Sequence, residues 1–254
     1  MSEEPRIVTT EEEMQRISRK SFLWAGASLL GAGGVYWWLN GRGLQGGKPW
    51  PFRRAFQANE TLARSFGQGS ARTFTEKDLS NDPRTNGDVG IADTEPEDWK
   101  LEFHIGEAKQ SFTLDEVKAM PATEMTCELN CIEGWTRVIH WKGVRVSDIL
   151  AKLGIAAKDL PAYVGLESPF AVTTAGPEQY YVGLDKESFL HPQSIFAYEM
   201  NGAPLTVAHG APLRHVLPIK YGYKQLKAVR LVTFSDERPR DYWAERGYDW
   251  YGGF

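Results

Sequence analysis

From Phe22 to Leu39 the chain carries no charged residue and is built mainly from Phe, Leu, Trp, Ala, Gly and Val. A stretch of about 18 such residues is close to the length a helix needs to cross a bilayer. Arg19 and Lys20 precede it and Trp37 and Trp38 close it, the order expected when positive charge stays cytoplasmic and aromatic rings sit at a membrane interface. Asn40-Gly41-Arg42-Gly43 then stops the helix. The competing reading, a helix buried in a globular core, fits poorly with the basic flank and the terminal position.

The string Ser18-Arg19-Lys20-Ser21-Phe22-Leu23 is similar to the twin-arginine export signal, with Lys as its second basic residue. No small-x-small cleavage site stands before Val35-Tyr36-Trp37-Trp38, so an uncleaved signal-anchor helix is expected. The chain then divides into a cytoplasmic leader (1–21), the anchor helix (22–39), a connector of loops and short helices (40–72) and a catalytic domain (73–254). A single-pass location follows, with the large domain on the periplasmic, extracytoplasmic side.

That domain reads as α+β. Trp99 to Ile105 alternates apolar and polar residues and predicts a strand, with a returning strand over Gln110 to Leu114. A short helix over Leu114 to Met120 is stopped by Pro121. A second helix opens near Val144, with Ser147 as N-cap and Gly154 as its stop. Further strands are predicted over Tyr163 to Glu167 and Leu226 to Phe234. No Gly-x-Gly-x-x-Gly follows a strand, which disfavours a Rossmann site. The net charge of −4, without a basic block, argues against a nucleic-acid partner.

The chain has two cysteines, Cys127 and Cys131, and five scattered histidines. Two thiols alone cannot complete a structural zinc site, which takes four N or S ligands, and the histidines show no H-x3-H pairing. A metal held here must bring most of its ligands with it. Cys131 lies in Asn130-Cys131-Ile132-Glu133-Gly134-Trp135. By itself it reads equally as a small buried apolar residue or, once deprotonated, as a soft anionic ligand.

Three ordered blocks break the tie. The Cys131 turn is followed by Trp141-Lys142-Gly143-Val144, then by Ala197 to Leu205 with His209-Gly210-Ala211-Pro212-Leu213-Arg214, then by Lys220-Tyr221-Gly222-Tyr223-Lys224-Gln225-Leu226-Lys227. Together they resemble the oxidoreductase molybdopterin-binding domain family, which has the sulfite-oxidase fold and includes the periplasmic methionine-sulfoxide reductase subunit.

The resemblance implies a domain of mixed and antiparallel strands with short helices, and a molybdenum-molybdopterin cofactor whose dithiolene sulfurs leave one protein ligand to supply. Carried over residue by residue, Cys131 is the metal ligand and the catalytic position. Asn86, Ser168, His209, Arg214, Gln225 and Lys227 are cofactor-binding. Arg214 is suited to a phosphate by its guanidinium fork, and Arg84 is a weaker member of the Asn86 segment. Lys224 reads as either solvent-exposed or a phosphate contact. Cys127 is expected to be a buried thiol rather than a second ligand, and no disulfide to Cys131 is expected. The C-terminal aromatics from Tyr242 to Tyr251 should pack on the domain or line a substrate funnel.

Sulfite oxidases of this family place Arg residues soon after the ligand Cys. Here Ile132-Glu133-Gly134 stands there, with Arg137 the nearest compensation. The expectation is therefore a reductase acting on a sulfoxide-like neutral oxide, with a sulfite-oxidising enzyme that passes electrons to a cytochrome as the alternative. A non-catalytic tethered binding module is the rival from another class. No haem-binding Cys-x-x-Cys-His occurs, so a membrane or soluble cytochrome is the expected redox partner of a catalytic monomer.

Overall fold

The computed structural model of the chain describes residues 10–41, 43–45, 48–66, 69–85, 90, 98–171 and 179–253. It forms two units, Met1–Ala55 and Phe56–Phe254. The first is dominated by a 30-residue helix, α1 (Glu11–Asn40). It contains the whole uncharged run, and Phe22, Leu23, Trp24, Leu29, Leu30 and Trp37 on it are all exposed.

No described helix is long and apolar enough to cross a membrane, so the expected spanning helix over 22–39 is corrected on that point. The cause is composition. Gly26, Gly31, Gly33 and Gly34 add no apolar side chain, and Trp24, Tyr36, Trp37 and Trp38 each carry a polar N–H or O–H. A short ladder pairs β1 (Leu44–Gln45) with β2 (Lys48–Pro49). A 17-residue helix, α2 (Trp50–Phe66), follows, longer than the short helices expected of the connector.

The second unit is built on two five-stranded sheets. In one, β5 (Ala122–Asn130), β6 (Thr136–Arg145) and β9 (Ile195–Met200) run antiparallel, and β10 (Ala203–Pro204) and β11 (Arg214–Val216) both pair with β9. In the other the order is β4 (Ala108–Thr113), β3 (Lys100–Ile105), β12 (Leu231–Ser235), β7 (Tyr163–Ala171) and β8 (Gln179–Asp185), antiparallel apart from β3 against β12. This is the mixed α+β domain that the sequence predicts.

Period-two alternation explains the layers. On β9, Ile195 and Ala197 face a core with Cys127, Leu129, Ile139 and Trp141. Phe196 and Tyr198 face the opposite way, into the larger core with Leu101, Phe103, Val164 and Val232. The short helices α3 (Leu114–Lys118), α4 (Val146–Lys152), α5 (Lys186–Phe189) and α6 (Tyr242–Glu245) cap strand ends. Thr113 caps α3 through a box with Glu116. For α4, however, the N-cap is Arg145 without a side-chain bond, and Ser147 lies inside the helix. Gly154 stops it in a left-handed conformation, φ 72°.

The strand predicted from Leu226 begins only at Leu231. Residues 226–229 are drawn aside by the loop before β11. Leu226 O accepts from His215 N–H, and the N–H groups of Ala228 and Val229 bond Gly210 O and Leu213 O. Those bonds consume the ladder positions a strand would use.

β6 carries a bulge between Lys142 and Gly143, after which Gly143 sits opposite Ala197. A Cβ built on Gly143 would lie 2.1 Å from Phe196 O and 2.6 Å from Ala197 Cα, so β6 and β9 approach more closely than any side chain permits. We therefore expect Gly143→Ala to destabilise the domain by about 3 kcal/mol, read as a lowered midpoint in urea with an unchanged slope.

Candidate active site

Cys131 opens the turn that joins β5 to β6. Its N–H bonds Trp135 O at 2.9 Å and its carbonyl accepts from Gly134 N–H at 3.0 Å. Gly134, at φ 86°, supplies the left-handed step that a tight turn requires. Outside the turn, Trp135 Nε1–H donates to Glu133 at 2.9 Å, and the guanidinium groups of Arg84 and Arg137 lie 5.2 and 5.9 Å from its ring.

Cys131 faces a cavity. Gln225 and Lys227 line it too, as do Glu133, Tyr180, Tyr223, Trp243 and Tyr248. Burial pushes the Cys131 thiol above its usual value, and the Glu133 carboxylate adds to this. The Glu133 backbone N–H and the charge of Arg84 work the other way. A thiolate here needs a positive partner, which a bound metal supplies. Cys127, by contrast, is buried on β5, and burial pushes its thiol up to about 12. It is neutral at neutral pH and points into the core, as expected of a buried thiol.

Arg214 stands on β11, 1% exposed. It donates to His209 O at 3.0 Å and Gln225 O at 3.5 Å, while its Nε–H has no partner. Two other buried cations face carboxylates: Lys220 faces Asp185 at 3.6 Å and Lys224 faces Asp241 at 2.5 Å. Arg214 faces no carboxylate among the described residues. Burial draws its pKa down to about 10, so the charge persists at neutral pH. A buried cation with an unspent donor suits a phosphate-bearing group.

His209 binds Pro83 O through Nε2 and Thr206 Oγ1 through Nδ1, both at 2.8 Å. A carbonyl only accepts, so Nε2 carries the proton and Nδ1 accepts from the threonine. Burial, then the charges of Arg214 and Lys227, hold its pKa low. His209 thereby ties the segment before residue 86 to the Arg214 loop. At Gly210, φ 101°, a Cβ would meet Lys227 Cβ at 2.8 Å, which fixes Lys227 against the same loop. Gln225 Nε2 donates to Lys220 O.

Of the predicted residues, Cys131, Gln225 and Lys227 share the cavity, and Arg214 and His209 brace its loops. Ser168 lies elsewhere: it is buried, bonds Gly90 O at 3.3 Å and lines a different cleft with Glu102 and Arg230. Asn86 falls outside the described residues.

The Cys131 thiol and Lys227 line one cavity, and the buried Arg214 braces its loops, in the order of the sequence blocks. The profile of the oxidoreductase molybdopterin binding domain matches residues 87–243. The chain belongs to this family.

Within it, the chain is 34% identical over 152 residues to the uncharacterized oxidoreductase YuiH of Bacillus subtilis, covering 59% of this chain and 72% of that one. It is 32% identical over 157 residues to the protein-methionine-sulfoxide reductase catalytic subunit MsrP of Xanthomonas campestris, covering 57% and 47%. Across the curated relatives the matched stretch spans between 47% and 72% of their own length. The solved sulfane dehydrogenase SoxCD of Paracoccus pantotrophus superposes with a TM-score of 0.49 at 21% identity, over 58% of this chain and 41% of that one. That likeness is too slight to bear on function. The chain is thus a molybdopterin-binding oxidoreductase domain.

Of the C-terminal aromatics expected to pack on the domain or line a funnel, Trp243 and Tyr248 line the cavity, while the sequence reading missed Tyr180 there and the fixing of Lys224. Lys224 is neither exposed nor aimed at a phosphate. It is fully buried, and Nζ donates to Asp241 Oδ2 at 2.5 Å and Trp250 O at 2.6 Å. Asp241 also accepts from Gly183 N–H and caps α6 through Ala244 N–H. The pair thus pins the C-terminal segment, which brings Trp243 and Tyr248, to the turn that brings Tyr223. We expect Lys224→Met to cost about 3–5 kcal/mol by leaving a buried carboxylate unpaired. Adding Asp241→Asn should recover part of that loss, with both effects read by urea denaturation.

Proposed function

We propose that this domain reduces a neutral sulfoxide-like oxide by oxygen-atom transfer at a molybdenum held by Cys131. The observation that carries the reading is the charge on the wall beside Cys131. Glu133 stands there among Tyr180, Tyr223, Trp243 and Tyr248. Lys227 is the cation on this wall, while Arg137, the arginine nearest after Cys131, is turned away, with Nε on Asp82 O and Nη1 on Thr136 O. A carboxylate repels sulfite, whereas aromatic faces favour an apolar group and polarisable sulfur. A relative named as a methionine-sulfoxide reductase supports the same substrate class.

When bound, the molybdenum-pterin group supplies the two-electron exchange. Overall, a sulfoxide, two electrons and two protons give a thioether and water. Among the cavity tyrosines, Tyr180 O–H donates to Tyr223 O and Tyr223 O–H to Asp249 O. Tyr248 O–H bonds no described residue and is free to donate to the substrate oxygen.

The apolar residues exposed along α1 support placement at a membrane. The twin-arginine-like string supports an extracytoplasmic domain, where a cytochrome would deliver electrons. A tether of this kind raises the partner's effective concentration.

A screen of metal-loaded protein against dialkyl sulfoxides, N-oxides and sulfite tests the substrate class. Sulfoxide reduction with a viologen donor is expected to dominate, and preferred oxidation of sulfite would overturn the reading. Cys131→Ser should lower turnover by at least about 1,000-fold with an unchanged circular dichroism spectrum. Molybdenum and pterin both absent from the purified wild-type protein would favour a non-catalytic module.

A further inference from the structure

Trp141 belongs to a block that the reaction leaves unused, and it occupies an unusual position. It is fully buried, and its indole N–H has no hydrogen-bond partner among the described residues. A buried indole usually finds an acceptor, so a phenyl ring would fill this core without the cost of an orphaned donor. What the indole has is a cation: the Arg214 guanidinium carbon lies 4.9 Å from the Trp141 ring centroid.

The sheet enforces that contact. Arg214 pairs with Ala197 on β9, and Ala197 pairs with Gly143 on β6, so the three residues form one row across three strands. The bulge at Lys142 and Gly143 shifts the register just after Trp141. The close approach allowed by Gly143 holds β6 and β9 together. Arg214 thereby lies over an aromatic face instead of beside a carboxylate.

We infer that Trp141 is a positioning residue for the cofactor: its ring stabilises the buried Arg214 charge without neutralising it, leaving that charge to hold an anionic group of the pterin. A carboxylate in the same place would stabilise Arg214 equally well and cancel the field at the cofactor. A ring quadrupole attracts the cation at short range and leaves its net charge intact. The inference rests on Arg214 binding the cofactor.

The test follows release of pterin, by fluorescence, and of molybdenum, by elemental analysis, from purified full-length holoprotein. Trp141→Phe should release pterin within about three-fold of the wild-type rate, and Trp141→Leu about ten-fold faster. Trp141→Met, an unbranched side chain, repeats the comparison should the Leu variant not fold. Placed in an Arg214→Gln background, the Trp141 substitutions should add no further loss. Equal release from the Phe and Leu (or Met) variants would overturn the inference, as would an undiminished Trp141 effect in the Arg214→Gln background, because either marks a packing role alone. Unchanged pterin retention in Arg214→Gln by itself would overturn the Arg214 assignment, and this inference with it. Loss in Arg214→Gln with none in Trp141→Leu would overturn only the role of Trp141.

Discussion

An arginine sealed inside a protein without a countercharge has to be stabilised by something other than an ion pair, and much of this domain is arranged to do that for Arg214. Two backbone carbonyls accept from its guanidinium and an indole ring lies against it. Each stabilises the cation while leaving its formal charge whole. The loops that provide those carbonyls, at His209 and Gln225, also carry Lys227 to the cavity. The constraint on one charge therefore sets the path of both loops.

The neighbouring lysines show the contrast. Lys220 and Lys224 each face a buried aspartate, so they add little net field and act as struts. Lys224 joins the turn at Tyr223 to the segment at Trp250. Two buried cations thus hold the fold through aspartates, whereas Arg214 faces no carboxylate among the described residues.

The fold class was legible because β3 alternates apolar and polar residues and α3 carries its own capping box. The Cys131 turn, Arg214 and Lys227 were legible as ordered blocks. Other features depend on tertiary partners that no local pattern records. Residues 226–229 have strand-like composition but spend their hydrogen bonds on a distant loop. Lys224 reads as a surface lysine until Asp241, 17 positions later, is seen beside it. The end of α1 was legible from Asn40-Gly41, but its start at Glu11 lies well before the expected Phe22. Whether it could cross a bilayer depended on summed apolarity, which its glycines lower.

The cavity wall draws on Cys131 near the middle of the chain and on Trp243 and Tyr248 far downstream. During synthesis the ligand thiol emerges long before the surfaces that enclose it. A nascent chain that has made only Cys131 therefore holds a thiol with half a container. Capture of a large cofactor must wait until Tyr248 has been added and the Lys224–Asp241 strut has closed. Loading is then an event of the folded protein, and the timing of any export step would have to respect it.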